Sequence, residues 1–232
     1  ANRSQEVNMH LTIGSILSAE SLAEARALMD QLRWSDGAKT AGPTARRVKR
    51  NRQADLSSNA GAKLKALLES ALAAHVTFNA ATRPKRFSKL LVTETSDGGE
   101  YGAHVDNPFM GRGEARIRTD VSFTLFLSDP DSYEGGELVI DQAGATQSVK
   151  GQAGDVFVYP STYLHAVSPV TSGVRRVCVG WIESDIPDAG DRELLFDLEN
   201  LHASLSRQYT PHSPEMLTVT KLFANLSRRL SR

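Results

Sequence analysis

The feature that most constrains the fold is a series of short segments with alternating polarity between about residue 87 and residue 184. They are rich in β-branched and aromatic residues, and glycine, proline and aspartate separate them. Examples are RTDVSFTLFLS, GDVFVYP and GVRRVCVGWIE. Seven or eight strands at such close spacing are typical of an antiparallel sandwich or barrel, because parallel strands need long crossover connections. The residues alone leave the choice between sandwich and barrel open.

Segments with helical periodicity flank this β region on both sides. LSAESLAEARALMDQLRW and SSNAGAKLKALLESALAAHVTF precede it, and DRELLFDLENLHASLSRQ and SPEMLTVTKLFANLSRRL follow Pro187. Each repeats apolar residues at intervals of three or four positions, which indicates an amphipathic helix. We therefore predict a helical support region over residues 1–84, a β core over 85–186 and a helical tail over 187–232. The tail is expected to pack on its own domain, which leaves monomer and homodimer open.

Composition excludes several classes of protein. Among 232 residues, Lys plus Arg and Asp plus Glu both number 27, so no net charge attracts a nucleic acid or a membrane surface. The single cysteine, Cys178, excludes an internal disulfide and a cysteine-rich metal site. No apolar run approaches the ~18 residues of a membrane span, and the first residues lack a signal-like apolar stretch. We expect a soluble, cytoplasmic protein without a membrane partner.

Two histidines and an aspartate form the pattern that points to chemistry. His104 and Asp106 end a strand-like segment, YGAHVD, and His165 lies in a later one, YLHAVSPV. Residues i and i+2 of a strand face the same side, so His104 and Asp106 can converge with His165. Two histidines and a carboxylate on one face of a metal, with open positions opposite, are the facial triad of non-haem Fe(II) oxygenases. His-x-Asp alone is common, so the hypothesis depends on further residues.

Arg175 is the residue that supports this hypothesis, because it follows His165 by ten positions on the next strand. A guanidinium inside a β core is costly unless an anion pairs with it. A dicarboxylate that chelates the metal at one end would supply that anion at the other end, in a bidentate pair. Arg176 is the rival, and strand parity alone does not decide which of the two arginines faces the interior.

These motifs resemble a known family. The HVD motif, the later histidine, the intervening PV-x-x-G and the arginine are similar to those of the Fe(II)- and 2-oxoglutarate-dependent dioxygenases of the prolyl 4-hydroxylase type. The segments DGAKTAG, YGAHVDNPFM, RTDVSFTLFLSDPDSYEGGELVI and GDVFVYPSTYLHAVSPVTSGVRRVCVGWIES resemble the bacterial PKHD-type hydroxylases more closely. The resemblance extends over roughly residues 30–200.

The resemblance implies an α+β fold with a mainly β core, a double-stranded β-helix (jelly roll) flanked by N-terminal and C-terminal helices. It implies Fe(II) bound by His104, Asp106 and His165, and the family's spacing assigns the far carboxylate of 2-oxoglutarate to Arg175. Tyr101 is a further candidate for the co-substrate site. The implied reaction couples decarboxylation of 2-oxoglutarate by O₂, giving succinate and CO₂, to hydroxylation of a substrate C–H bond. Ascorbate is an expected reductant.

Two parts of the chain leave questions open. The family commonly has a tyrosine that helps to hold 2-oxoglutarate where this chain reads VTETSDGG, so Thr93 or Thr95 would have to substitute. The basic segments 46–52 and 112–118 fit either a solvated surface or a positive rim that guides an anionic substrate. The loop after Asp106 is a candidate lid.

The substrate also remains open. The prolyl hydroxylase resemblance favours a prolyl residue in a peptide or protein, whereas the PKHD-type resemblance permits a small molecule linked to iron metabolism. A metal-binding jelly roll without oxygenase activity and a non-catalytic 2-oxoglutarate sensor are the alternative functions. Among these, the oxygenase and the sensor require Arg175, and only the oxygenase releases succinate.

Overall fold

The computed structural model describes residues 10–40, 48–142 and 145–231. Within these ranges the chain forms two antiparallel sheets that face each other, two small two-stranded pairs and five α-helices. A cluster of buried side chains joins the sheets, with Phe126, Phe157 and Val177 from one and Leu138 and Ile140 from the other. The core between the sheets therefore holds them as a sandwich.

The larger sheet contains eight strands. In chain order they are β1 (Leu11–Ile13), β2 (Trp34–Asp36), β4 (Arg52–Ala54), β5 (Pro84–Phe87), β6 (Leu91–Thr95), β10 (Val121–Phe126), β14 (Val156–Pro160) and β17 (Arg175–Ser184). Their order across the sheet is β1-β14-β10-β17-β6-β4-β2, and β5 pairs with β17. The residues of β10 and β14 are buried on both faces, because helices cover the outer side of this sheet.

The smaller sheet contains five strands. In chain order they are β3 (Lys49–Arg50), β7 (Glu100–His104), β12 (Leu138–Gln142), β13 (Ala145–Val149) and β15 (Leu164–Val167). Their order across the sheet is β13-β12-β15-β7-β3. The two-stranded pairs are β8 (Phe109–Met110) with β9 (Ile117–Arg118), and β11 (Tyr133–Gly135) with β16 (Val170–Gly173).

Eight of these strands form the predicted double-stranded β-helix. The strands β6, β10, β14 and β17 belong to the larger sheet, and β7, β12, β13 and β15 belong to the smaller one. Because the chain passes between the sheets along this series, consecutive strands build a jelly roll. The predicted mainly β core with flanking helices is confirmed, and the described sheets form a sandwich rather than a barrel.

Five α-helices flank the sheets in the described ranges. They are α1 (Ala19–Met29), α2 (Asn59–Ala74), α3 (Val76–Thr82), α4 (Ala189–Leu205) and α5 (Pro214–Leu230). Ser18, Ser58, Asp188 and Ser213 cap four of them by accepting a hydrogen bond from a backbone N–H of the first turn. None of the helices in the described ranges has the length and apolar character needed to cross a membrane.

The N-terminal third contains more than the helices expected from the sequence. Its strands β1, β2, β3 and β4 join the two sheets. Each is two or three residues long, so none shows a recognisable period of two. The proposed boundaries near residues 84 and 187 stay a prediction.

Candidate active site

A cavity opens between the two sheets, and every site residue singled out from the sequence contributes to its wall. These residues are Thr93, Thr95, Tyr101, His104, Asp106, His165 and Arg175. Apolar side chains, among them Leu138, Val167 and Val177, line much of the rest. The cavity therefore combines a small number of charged groups with apolar walls, which is typical of small-molecule sites.

The histidines and the aspartate of the predicted triad converge on one point. His104 and His165 face each other in register across β7 and β15, and Asp106 follows two residues after the end of β7. One ligand atom from each residue lies within 4.8 Å of the others. The Nε2 atom of His165 lies 3.8 Å from Oδ2 of Asp106, and both side chains are almost fully buried. This donor set matches a facial triad.

A β-bulge in β7 brings Tyr101 to the same site. His165 pairs with His104 and Val167 pairs with Tyr101, so β7 uses one residue more than β15 between these pairs. Strict alternation would place Tyr101 and His104 on opposite faces, but the bulge removes that alternation. Their rings stack with centroids 3.7 Å apart.

Both triad histidines are held in the same tautomer by the backbone. His104 Nδ1 lies 2.8 Å from the Gly102 carbonyl oxygen, and His165 Nδ1 lies 3.0 Å from the Tyr163 carbonyl oxygen. A carbonyl oxygen only accepts, so Nδ1 carries the hydrogen and Nε2 keeps its lone pair for a metal. Burial, together with the neighbouring His165, lowers the pKa of His104 to about 4, which keeps its imidazole neutral.

Two serines orient the carboxylate of Asp106. Ser122 Oγ on β10 donates a hydrogen bond of 2.6 Å to Asp106 Oδ2. Ser161 Oγ lies 2.7 Å from Ser122 Oγ, and both serines are buried. Such partners of metal ligands fix the orientation of the ligand. Neither serine was predicted from the sequence, although a small hydroxyl residue among the β-branched and aromatic residues of VSFTLF was a possible signal.

Arg175 lies inside the cavity and Arg176 lies outside it. Arg175 is 3% exposed, and its Nε has no hydrogen-bond partner among the described residues. Burial lowers its pKa, and the nearby hydroxyls of Tyr133 and Tyr159 partly oppose that effect. Arg176 instead forms ion pairs with Glu94 and Asp30.

The turn before β12 makes room for Arg175. Gly136 has a φ of +69°, and a Cβ atom there would lie 2.8 Å from Cδ of Arg175 and 2.9 Å from Cγ2 of Val170. Only glycine adopts this backbone conformation readily and leaves that space free. In the same turn, Glu137 accepts a hydrogen bond from the Ser168 hydroxyl. The EGGEL turn thus shapes one end of the cavity.

Thr93 and Thr95 are the residues predicted from the sequence to substitute for a tyrosine at the co-substrate site. Both are buried and line the cavity. In the pairing of β6 with β17, Thr95 lies opposite Arg175 and Thr93 lies opposite Val177. Thr95 is therefore the nearer of the two to the guanidinium along the ladder.

Two further cavity residues were not predicted from the sequence. Tyr159 is buried, and its ring meets that of His165 edge-on at 5.2 Å. Lys49 is 8% exposed, and its Nζ lies 5.3 Å from the Tyr101 ring centroid. Lys49 belongs to the basic segment 46–52, for which the sequence left a solvated surface and a positive rim open. Its strand has only two residues and therefore shows no period.

The two basic segments lie in different surroundings. In the first, Arg46 and Arg47 fall outside the described residues, while Arg50 and Arg52 form ion pairs with glutamates. In the second, Arg112 and Arg116 are exposed, and Arg116 and Arg118 contact neighbouring side chains. Neither segment forms a continuous strip of unpaired charge within the described residues.

The second segment belongs to the loop proposed as a lid. Arg112 is exposed, the Arg116 guanidinium lies 4.0 Å from the Phe109 ring centroid, and Arg118 is paired with Asp120. The pair of β8 and β9 forms the body of this loop, and Met110 reaches the cavity wall. The loop therefore borders the site.

Comparison with known proteins decides the family. Residues 90–183 match the 2OG-Fe(II) oxygenase superfamily. A PKHD-type hydroxylase of Hyphomonas neptunium is 52% identical over 221 residues, which cover 95% of this chain and 99% of that protein. The chain belongs to the PKHD-type hydroxylases.

Other relatives of this PKHD-type hydroxylase agree with that result. A PKHD-type hydroxylase of Synechococcus elongatus is 43% identical and covers 96% of this chain and 100% of its own length. A solved Trichoplax adhaerens prolyl hydroxylase superposes with a TM-score of 0.58 at 13% identity, over 76% of this chain and 84% of its own. A solved Pseudomonas putida prolyl-4-hydroxylase superposes with a TM-score of 0.51 at 19% identity, over 77% of this chain and 94% of its own. At these identities the solved structures show a shared fold.

This PKHD-type hydroxylase is thus an oxidoreductase that uses Fe(II), 2-oxoglutarate and O₂, as the sequence predicted. Its own residues fit that cofactor set. Two imidazoles and one carboxylate form a suitable ligand set for Fe(II), and a buried guanidinium with an unpaired Nε suits an anion. Ascorbate as a reductant stays a prediction.

Proposed function

We propose that this hydroxylase oxidises a C–H bond of a prolyl residue in a peptide or protein, consumes 2-oxoglutarate and O₂, and releases succinate and CO₂. The observation that carries the co-substrate part is the position of Arg175. Its guanidinium is buried in the cavity that also contains the triad, and its Nε lacks a hydrogen-bond partner among the described residues. A buried cation of this kind requires an anion, and a dicarboxylate chelated at the triad supplies one.

His104, Asp106 and His165 would hold the Fe(II). Bound Fe(II), together with 2-oxoglutarate and O₂, supplies the oxidising chemistry that replaces C–H by C–OH. The chain contributes oriented ligands, since backbone carbonyl oxygens accept hydrogen bonds from Nδ1 of both imidazoles and leave Nε2 as the nitrogen for the metal. Ser122 holds the third ligand, Asp106, by a hydrogen bond to its carboxylate.

Arg175, with Thr95 beside it, would bind the distal carboxylate of 2-oxoglutarate. Thr95 is the cross-strand neighbour of Arg175, so its hydroxyl is the one proposed to donate to the same carboxylate. Tyr101 lies nearer the triad, stacked on His104, and is the second residue proposed for this co-substrate. Apolar neighbours such as Val177 and Leu138 exclude water, which strengthens the ion pair.

The assignment of a prolyl substrate is supported by the solved relatives. One of them is a prolyl hydroxylase in complex with a peptide fragment, and another is a prolyl-4-hydroxylase. In this chain, Val105 and Phe109 beside the cavity are 52% and 47% exposed. Exposed apolar side chains next to a catalytic cavity offer a surface on which an extended peptide can lie.

The test is a succinate assay on protein reconstituted with Fe(II) under anaerobic conditions and then supplied with O₂. We expect release of succinate that requires both iron and 2-oxoglutarate, stimulation by some members of a panel of proline-containing peptides, and addition of one oxygen atom to the proline. Peptides with alanine in place of proline are the control. If no member of the panel stimulates succinate release, the prolyl assignment is wrong.

Variants separate the proposed chemistry from the other functions. His165→Ala should lose bound iron and succinate release, whereas His212→Ala, at an exposed position outside the cavity, should retain both. A sensor would bind 2-oxoglutarate without releasing succinate. A metal-binding protein without co-substrate would be unaffected by Arg175→Met.

A further inference from the structure

Lys49 is a charged residue in the cavity that has no part in the chemistry proposed so far. It lies on β3 at the edge of the smaller sheet, in register with Tyr101. The residue is 8% exposed, and its Nζ lies 5.3 Å from the centroid of the Tyr101 ring, which in turn stacks on His104. The ammonium group therefore lies close to the metal triad.

Lys49 and Arg175 lie on opposite walls of the cavity. Lys49 belongs to the smaller sheet and Arg175 to the larger one, and both line the same space. In the proposed function, Arg175 pairs with the distal carboxylate of 2-oxoglutarate. Because the other carboxylate of 2-oxoglutarate is directed to the metal, neither end of the co-substrate is assigned to Lys49.

The charges of the loaded site favour one more anion. Asp106 and Asp36 are the carboxylates whose charges act on Lys49. A metal ion bound by Asp106 would neutralise the negative charge of that carboxylate. Asp106 would then offset less of the positive charge of Lys49. Asp36 is exposed to solvent and does not line the cavity. Within the cavity, Fe(II), Arg175 and Lys49 exceed Asp106 and doubly charged 2-oxoglutarate by one positive charge in a formal count.

Lys49 also lies at the boundary between this cavity and a second one. The cavity adjoins a second, more open cavity, and Lys49 and Asn51 line both. The second cavity is polar, with Asp36, Arg50, Arg52, Glu94 and Asp97 among its lining residues. Lys49 therefore has polar groups of the second cavity on one side and the triad on the other.

We propose that Lys49 determines substrate specificity by binding a carboxylate of the substrate close to the carbon that is hydroxylated. This inference rests on the proposed prolyl hydroxylation. The carboxylate belongs either to the proline itself, when that residue is C-terminal or free, or to an acidic residue next to it. Both present the same group to the ammonium, and the experiment distinguishes them.

The test measures binding to protein loaded with Mn(II) and 2-oxoglutarate, by calorimetry. The first pair of probes is N-acetyl-L-proline and N-acetyl-L-prolinamide, which differ only in the carboxylate. The second pair is acetyl-Glu-Pro-amide and acetyl-Gln-Pro-amide, which places the carboxylate on the neighbouring residue. We expect the wild-type protein to bind the charged member of one pair at least tenfold more tightly than its uncharged counterpart. That pair identifies which residue of the substrate carries the carboxylate.

Lys49→Met should abolish this preference, and Lys49→Arg should retain it. The matched control is Arg50→Met, the next residue of the same strand, whose side chain is 66% exposed and paired with Glu100. This control should keep the preference of the wild-type protein. If Lys49→Met fails to fold, as judged by thermal unfolding, Lys49→Gln takes its place.

Three results would overturn the inference. In the first, the wild-type protein shows no preference within either pair of probes or binds none of them. In the second, Lys49→Met keeps the preference. In the third, Lys49→Met loses as much affinity for 2-oxoglutarate as Arg175→Met does. The last would assign Lys49 to the co-substrate. Succinate release by the wild-type protein tests the proposed function separately. If the protein releases succinate but prefers no probe, only the role of Lys49 is wrong. If it releases no succinate, the proposed function is wrong.

Discussion

Ser122 and Asp106 are joined by a hydrogen bond of 2.6 Å from the serine Oγ to the carboxylate Oδ2. The serine lies on β10 of the larger sheet, while Asp106 follows β7 of the smaller sheet, so the bond crosses the cavity. The hydroxyl of Ser161, 2.7 Å from that of Ser122, extends the chain of contacts. The carboxylate of the triad is thus oriented by the opposite sheet rather than by its own strand.

We predict that Ser122→Ala weakens Fe(II) binding by about 10–100-fold, because the carboxylate loses the contact that orients it. Titration of the protein with Mn(II), monitored by calorimetry, measures the effect. Ser35→Ala, at an exposed position of β2, is the control and should bind the metal as the wild-type protein does. Equal affinities for Ser122→Ala and the wild-type protein would show that the hydrogen bond does not orient the ligand.

Arg175→Met should weaken 2-oxoglutarate binding by on the order of 100-fold or more, since it removes the buried partner of a carboxylate. The neighbouring variant Arg176→Met is a stringent control, because Arg176 pairs with Glu94 and Asp30 outside the cavity. That control should lower the melting temperature and leave the affinity for 2-oxoglutarate unchanged. Calorimetry with Mn(II)-loaded protein distinguishes the two variants, and a similar loss in both would contradict the assignment.

Gly136→Ala should both destabilise the protein and weaken 2-oxoglutarate binding. The added methyl group would meet Arg175 Cδ at 2.8 Å and Val170 Cγ2 at 2.9 Å, at a φ of +69°. We expect a loss of about 1–3 kcal/mol in the free energy of unfolding. Gly98→Ala is the control that separates backbone strain from the clash. Gly98 has a φ of +74°, but apart from its chain neighbours no atom lies within 4 Å of the position of the added methyl group.

For this pair of glycine variants, the measurements are urea unfolding and calorimetric titration with 2-oxoglutarate. Gly98→Ala should lower the free energy of unfolding through backbone strain alone and bind 2-oxoglutarate as the wild-type protein does. If Gly136→Ala binds the co-substrate as well as Gly98→Ala does, the turn has no role in placing Arg175.

Glu183 should make stability depend on pH in the acid range. Burial alone would raise the pKa of Glu183, but hydrogen bonds from the Arg86 side chain and the Arg118 backbone N–H lower it overall. A carboxylate with a lowered folded-state pKa contributes stability above its unfolded pKa of about 4.3, and that stability is lost as the pH falls through the folded-state pKa.

Glu183→Gln should therefore be less stable than the wild-type protein near pH 7. We expect a loss on the order of 1 kcal/mol in the free energy of unfolding, or ~2–4 °C in melting temperature. The gap should close as the pH falls below about 4. Glu134→Gln, at an exposed position, is the control and should show no such gap. A gap that stays constant down to about pH 3 would contradict the ion-pair explanation.

Divalent metal should stabilise the folded protein. Mn(II) at about 100 times its dissociation constant adds ~2.7 kcal/mol, which corresponds to about 5–10 °C in melting temperature for a chain of this size. A chelator should reverse the shift, and His104→Ala should abolish it. His212→Ala should keep it, and the same shift in both histidine variants would place the metal elsewhere.

The parts of the site that follow simple rules of spacing could be predicted from the sequence. Strand alternation predicted that His104 and Asp106 face the same side, although β7 ends at His104. The later histidine and arginine occur at the spacing of the family. Those rules depend on strand alternation, which the β core obeys in most places. Strand alternation predicted a sandwich or a barrel, and the family resemblance specified the jelly roll.

What the sequence did not reveal depends on contacts between distant segments. The position of Lys49 follows from the pairing of a two-residue strand with β7, and the contact of Ser122 with Asp106 crosses between sheets. The stacking of Tyr101 on His104 requires a bulge that breaks the alternation. None of these produces a periodic pattern, so tertiary contacts alone determine them.

The two carbonyl oxygens that hold the triad histidines have a consequence for how the protein handles metals in a cell. In each case the anchoring carbonyl is two positions earlier in the same strand region, so the imidazole orientation is set by nearby backbone and needs no ion to create it. Loss of iron should therefore leave the coordination geometry in place. The protein should exchange one divalent ion for another by simple dissociation and rebinding, and the metal it carries should follow the relative abundance and affinity of the ions around it.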